Sequence, residues 1–227
     1  MMKHLFKITL LLSIILVSFT QPTRKVKILF FGDSITQAGV SPNGYIVKMD
    51  SIIKQSHLSD SIELVGAGIG GNKVYDLYLR MEDDVMKQHP DVVMIYVGIN
   101  DVWHKASSGT GTDPDKFEKF YRAIIKKLQE KNIKVIVCTP SVIGERNDNS
   151  NQQDGDLNNY SNIIRTIAKD MSLPVCDLRK AFADYLKVNN PSNLEKGILT
   201  SDRVHLNTKG NLFVAGEMWK VLQNNIH

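Results

Sequence analysis

Val26-Lys27-Ile28-Leu29-Phe30-Phe31-Gly32-Asp33-Ser34-Ile35-Thr36 is the stretch that decides the fold. From Val26 to Phe31 it is nearly continuous in apolar character, as a parallel strand covered on both faces must be. At Gly32 the residues turn small and polar. Ser34 is therefore expected just past the carboxyl end of a strand, where open α/β sheets place their ligands. Four further runs rich in Val and Ile, at 61–65, 91–97, 133–138 and 173–177, repeat the pattern. Between and after them, apolar residues recur at helical spacing in 44–56, 74–88, 115–131, 157–171 and 208–223. Asp113-Pro114 reads as a cap followed by a first-turn proline, and Asn207 or Thr208 as the cap of the last helix. Strands alternating with helices predict an α/β fold: a doubly wound, five-stranded parallel sheet with helices on both faces, in three α/β/α layers.

Two stretches break the alternation. Lys105 to Asp113 is rich in Ser, Gly and Thr, and Gly144 to Asp156 in Asn, Asp and Gln, so both are expected as loops on the carboxyl side of the sheet. Asp148, Asn149, Asn151, Asp154 and Asp156 crowd together as calcium ligands would. The run lacks the ligand ladder and terminal Glu of an EF-hand, which favours a solvated loop.

The chain opens with Lys3 and Lys7 followed by an apolar run from Ile8 to Phe19, short of the ~20 residues that span a bilayer. Residues 1–20 read as a secretory signal, with Ser18 and Thr20 near the cleavage site and the mature chain starting near Gln21. No cysteine stands there to carry a lipid anchor. Export to the periplasm or the outside is expected, with no stable membrane insertion of the mature chain. An uncleaved anchor or a buried helix is the alternative. The remaining 21–227, roughly 207 residues, suffice for one domain with a sizeable core. The formal charge is +4 with Lys3 and Lys7 included, and the other basic residues are interspersed with acidic ones, which excludes nucleic acid as an expected partner. Cys138 and Cys176 each end a predicted strand, open to a reading as buried thiols or as one disulfide between neighbouring strands. Without Cys-x-x-Cys spacing, a cysteine zinc or redox site is not expected.

The chemistry lies in four short blocks: Gly32-Asp33-Ser34-Ile35-Thr36, Gly68-Ile69-Gly70-Gly71, Gly98-Ile99-Asn100-Asp101 and Asp202-Arg203-Val204-His205. A serine hydroxyl is a poor nucleophile. It needs a base within reach, a group that orients the base, and donors aimed at the developing oxyanion. Ser34 is the candidate nucleophile, or else a helix cap. His205 is the candidate base, with Asp202 three residues before it to hold Nδ1; the alternative is a surface turn. Among the other histidines only His104 competes, because His4 lies in the leader, His57 and His89 end helices, and His227 is terminal. Oxyanion donors are available from the backbone N–H of Ser34, that of Gly71 and the side-chain amide of Asn100. The glycines could otherwise form a plain turn, and Asn100-Asp101 a turn pair. Asp33 is expected to brace the corner. No metal or organic cofactor is called for by these residues.

In combination and order the four blocks resemble the SGNH (GDSL-type) hydrolase family, over essentially the whole mature chain. The resemblance implies a flavodoxin-like strand order, a catalytic set of Ser34, Asp202 and His205, an oxyanion hole of Ser34, Gly71 and Asn100, and acyl transfer through an acyl-enzyme. One departure is visible. Family members commonly carry Asn two residues before the first glycine of the second block, and this chain has Gly66 there, which leaves the bracing of that loop open. The resemblance points to a secreted esterase for short acyl, above all acetyl, esters on carbohydrates, with Trp103, His104, Tyr45 and Tyr75 as candidate substrate contacts. Aromatics beside core strands also serve as packing. Lipase-like or thioesterase activity on longer chains, and a non-catalytic carbohydrate-binding module on the same fold, are the competing readings.

Overall fold

The computed structural model describes residues 24–226, so the leader expected at 1–20 lies outside the described residues. Five parallel strands, β1 (Val26–Gly32), β2 (Ile62–Gly68), β3 (Val92–Tyr96), β4 (Lys134–Cys138) and β5 (Val175–Cys176), form one sheet in the order β2-β1-β3-β4-β5. This is the expected flavodoxin-like order. β1 lies in the middle of the first three strands, with Gly32 opposite both Gly68 of β2 and Tyr96 of β3. The carboxyl ends that carry the first three blocks are thereby brought level.

The helices are α1 (Ser34–Gly39), α2 (Tyr45–Gln55), α3 (Val74–Asp84), α4 (Ile99–Ser108), α5 (Pro114–Glu130), α6 (Asp154–Asp170), α7 (Leu178–Asn189) and α8 (Thr208–Leu222). α2 packs on α8 and α8 on α7, whereas α3 packs on α5 and α5 on α6, which gives the two helical layers. The middle of the sheet between them is buried. Ile28 to Phe31 and Val93 to Ile95 are all 0% exposed. Each such side chain contributes roughly 1.5–3 kcal/mol by leaving water.

Several boundaries differ from the sequence reading, each for a local reason. The fifth strand shrinks to Val175–Cys176 because Pro174 offers only its carbonyl, which accepts from Val137, and Asp177 turns away to cap α7. The helix expected over 74–88 ends at Asp84; Val85 leaves helical geometry and a 3-10 turn covers Met86–Gln88. α4 runs through Lys105 to Ser108, so only the rest of that Ser/Gly/Thr-rich stretch is loop, entered through Gly109 in the left-handed region at φ 69°. α6 begins at Asp154, three residues earlier than its apolar pattern. Asp154 bonds Arg179 and Asn151 there, so it is engaged with protein groups. Among the described residues no three His, Cys, Asp or Glu side chains converge on a metal site. Cys138 and Cys176 face each other across β4 and β5 as buried free thiols, not a disulfide, and burial pushes the Cys138 thiol up.

Candidate active site

The corner that carries Ser34 is built by close approach. A Cβ on Gly32 would meet Tyr96 O at 2.4 Å, and one on Gly68 would meet Gln37 N at 2.1 Å, so the ends of β1 and β2 can press against β3 and α1 only as glycines. Asp33 caps α1, its Oδ1 accepting from Ile35 N at 3.0 Å. Its carboxyl is fully buried, and burial pushes it up to about 7. Ser34 follows as the first residue of α1, a position whose N–H has no intrahelical acceptor.

Across from it, Ser34 Oγ lies 3.0 Å from His205 Nε2, and His205 Nδ1 lies 2.7 Å from Asp202 Oδ2. The other oxygen, Asp202 Oδ1, accepts from His205 N at 2.8 Å and Val204 N at 3.1 Å, which locks the carboxylate and the ring into one short turn. Partial burial works to raise the Asp202 carboxyl, but the hydrogen bonds from the His205 ring and these two N–H groups hold it below the usual carboxylate range. With Nδ1 tied to Asp202, the imidazole presents Nε2 to the serine. Asn207 caps the helix that follows, its side chain accepting from Gly210 N at 2.9 Å.

The second and third blocks leave the ends of β2 and β3 level with the end of β1, and a Cβ on Gly70 would stand 3.9 Å from Ser34 Cβ. Gly71 sits at φ +76°, where a side chain would be strained, and no group among the described residues accepts from its N–H. Asn100 is buried in the first turn of α4 and spends one amide hydrogen on Asn72 O at 3.1 Å, which leaves the second free to donate. Bracing of the loop, left open by Gly66, comes from Arg80. Its Nη2 donates to Gly32 O at 2.7 Å and Ala67 O at 3.0 Å, and its Nε to Asn72 Oδ1 at 2.7 Å, while its plane covers Phe31 at 4.6 Å. One guanidinium thus ties the Ser34 corner to the glycine loop. Asp101, buried beside Asn100 with its carboxyl raised to about 6 by burial, accepts from Val74 N at 3.2 Å and holds the loop's far end.

Of the candidate substrate contacts, Trp103 packs edge-on against His205 at 6.4 Å between ring centroids, and a Cβ on Gly71 would stand 3.8 Å from the His104 ring. Burial and Lys73 both lower the His104 pKa. Tyr75 leans on Phe120 at 6.3 Å, in the α3–α5 layer. Tyr45 is a correction: it is 0% exposed, its ring packs against Phe30 and Tyr96, and its hydroxyl donates to Thr36, so it is a core residue and cannot reach substrate. Two large cavities, of about 670 and 540 Å³, are lined by neither Ser34 nor His205. The first lies at the amino ends of β1 and β3, the end away from the blocks. Sequence reasoning missed Arg80, because a lone arginine on a helix carries no signal of what it will reach.

A serine at the carboxyl end of a central parallel strand, contacted by a histidine that in turn contacts an aspartate, on this strand order, is the arrangement of serine hydrolases built on a flavodoxin-like frame. The chain belongs to the GDSL-like lipase/acylhydrolase family, whose profile matches residues 30–212. It is a carboxylic ester hydrolase. An acetylxylan esterase of Geobacillus stearothermophilus is 30% identical over 207 residues, covering 83% of this chain and 90% of that enzyme. The crystal structure of the acetyl xylan esterase AlAXEase superposes with a TM-score of 0.85 at 63% identity, covering 86% of this chain and 98% of that one. That of Axe2, an acetylxylan esterase from Geobacillus stearothermophilus, superposes with a TM-score of 0.76 at 27% identity, covering 86% and 93%. The catalytic mutants of Axe2 that have been solved replace a serine, an aspartate and a histidine, the aspartate three positions before the histidine.

Proposed function

We propose that the chain is an exported acetyl esterase that removes acetyl groups from xylan-type carbohydrate through an acyl-enzyme on Ser34. The observation that carries the mechanism is the 3.0 Å contact between Ser34 Oγ and His205 Nε2, backed by the 2.7 Å contact between His205 Nδ1 and Asp202. The naming of the relatives as acetylxylan esterases supports the substrate class, and the basic-then-apolar start of the sequence, with the mature chain from about Gln21, supports export.

In the first step Ser34 Oγ attacks the acetyl carbonyl while His205 Nε2 takes its proton, and the imidazolium is stabilised by Asp202. The tetrahedral oxyanion accepts hydrogen bonds from the N–H groups of Ser34 and Gly71 and the amide of Asn100, each such donor typically worth about 3–4 kcal/mol in the transition state. His205 then gives its proton to the departing sugar oxygen, leaving Ser34 acetylated. In the second step His205 deprotonates a water that attacks the acetyl carbonyl; collapse releases acetate and returns the proton to Ser34. The His205 and Asp202 side chains are 36% and 52% exposed, an open setting that suits a polysaccharide passing over the site.

A hydrolysis panel tests the reading. Acetylated xylo-oligosaccharides and acyl esters of graded chain length should show release of acetate from the sugars and a rate that falls as the acyl chain lengthens. A rate that rises with chain length, with no release from the sugars, would instead make the chain a lipase-like esterase or thioesterase.

A further inference from the structure

The chain leaves the sheet at Cys176, the last residue of β5, and the turn that carries Asp202 and His205 follows α7 and pairs with no strand of the sheet, so contacts outside the sheet must fix its position. Glu145 does so. It is 0% exposed, and both oxygens of its carboxylate act as acceptors. Oε2 accepts from Ile198 N at 2.7 Å, and Oε1 from Leu199 N and Thr200 N, each at 2.6 Å. The backbone around it adds further ties, with Glu145 N donating to Glu195 O and Gly144 N to Arg203 O, both at 2.9 Å. Three successive N–H groups converging on one carboxylate form an anion nest turned inward, occupied by a side chain of the same protein.

From that anchor the geometry runs directly to the acid–base pair. Thr200 is bridged to Leu206 in antiparallel fashion, and Ser201 N donates to His205 O at 2.8 Å. The hairpin that closes over this bridge contains Arg203 at φ +87°, a strained turn for a residue with a side chain, held at both ends by its carbonyl bond to Gly144 and its ion pair with Glu195. Beyond it, Asn207 N returns to Leu199 O, and α8 presses so close that a Cβ on Gly210 would meet Leu199 O at 1.9 Å. Leu199 and Thr200 are therefore the fixed base of the hairpin, and Glu145 is the group to which they are fixed.

We propose that Glu145 is a positioning residue for the acid–base pair, holding the Ile198–Thr200 segment so that His205 Nε2 stays within hydrogen-bond reach of Ser34. This rests on the reading of Ser34, His205 and Asp202 as catalytic. Glu145 touches no reacting atom, and its effect passes through His205. A glutamine cannot replace it, because its amide would turn N–H₂ toward Ile198 N or toward the Leu199 and Thr200 pair, donor against donor.

A double-mutant cycle on nitrophenyl acetate hydrolysis tests this, with Glu145→Gln made alone and in a His205→Ala background. Alone, Glu145→Gln should lower kcat by about 10- to 100-fold with KM within about twofold, the scale expected when a catalytic group is displaced by about an ångström. In the His205→Ala background the same substitution should change the residual rate by less than about twofold, since the group it positions is gone. Glu145→Asp, which keeps both acceptors on a shorter stem, should fold and recover part of the rate. If Glu145→Gln does not fold, the cycle is run with Glu145→Asp, whose loss should likewise vanish without His205. Equal losses in both backgrounds, or a loss that matches the unfolded fraction seen by circular dichroism, overturn the proposal. Near wild-type activity of His205→Ala alone would instead overturn the catalytic reading on which it rests.

Discussion

Ser34, Gly71 and Asn100 stand just beyond the ends of β1, β2 and β3, while Asp202 and His205 ride on a hairpin whose only bridge joins Thr200 to Leu206. The first half of the site inherits its geometry from the sheet register, with Gly32, Gly68 and Tyr96 level across three strands, and from Arg80 spanning two of the loops. The second half has no register to inherit. It is placed by buried polar contacts, above all the three N–H groups on Glu145. Among the described residues the two halves meet at the hydrogen-bond contact of Ser34 Oγ with His205 Nε2 and at the edge-on packing of Trp103 against the His205 ring. Preorganisation on the sheet side is thus a property of the core, and on the hairpin side a property of a few hydrogen bonds.

The largest effect that separates the halves is expected at His205. Turnover of an acetyl ester by His205→Ala should drop on the order of 10³-fold or more, and that of His104→Ala by far less, because only His205 is held by an aspartate. Steady-state kinetics on both variants check this, and equal losses would mean that the base has been placed on the wrong side of the site.

On the sheet side, Asn100→Ala should lower kcat by about 10² to 10³ with KM little changed, the behaviour of a donor that tightens only in the transition state. Asn100→Asp should be worse, since a carboxylate there repels the oxyanion. Both need thermal unfolding alongside, because Asn100 also donates to Asn72 O. Losses that merely follow unfolding would reduce Asn100 to a turn residue and leave the hole with backbone donors alone.

The smallest effect is one of stability and pH, and it belongs to Asp33, the buried acid next to Ser34. Asp33 has an ordinary value of 3.8 when unfolded and about 7 when folded, so between these values the folded chain holds a proton that the unfolded chain has lost. Stability contributed by this group is present in full below about pH 4, falls as pH rises, and is level again above about pH 7. Asparagine caps a helix as well as aspartate does and carries no charge to bury. The melting temperature of Asp33→Asn minus that of the parent should therefore grow from pH 4 to pH 7 and then flatten. A difference that stays flat over that range would show that Asp33 is ionised at lower pH than its burial dictates.

The same contrast explains what the sequence made legible. Continuous apolar runs specify buried parallel strands, so all five strands, their alternation with helices and the four blocks could be read directly. α7, outside the helical runs named from the sequence, carries the same signals: Asp177 caps it, and Leu178, Phe182 and Leu186 repeat at helical spacing, all buried. α4 was hidden because its first turn is also the third block and its last residues, Ala106 to Ser108, are exposed and carry no apolar pattern. Tyr45 shows the limit of proximity in sequence, since standing close to a block does not say which way a ring turns. Arg80 and Glu145 lie beyond pattern altogether. Arg80 reaches a carbonyl 48 residues away and Glu145 three amides 53 to 55 residues away, contacts that exist only once the chain has closed.

The most direct measurement on the account is covalent labelling of the wild-type chain and of Ser34→Ala with a serine-directed organophosphonate, followed by peptide mapping and residual esterase activity. One label is expected, on Ser34, with activity lost in proportion to labelling, and a Ser34→Ala variant that stays folded, takes no label and hydrolyses no acetyl ester. A label on another serine, or esterase activity that survives in Ser34→Ala, would contradict it.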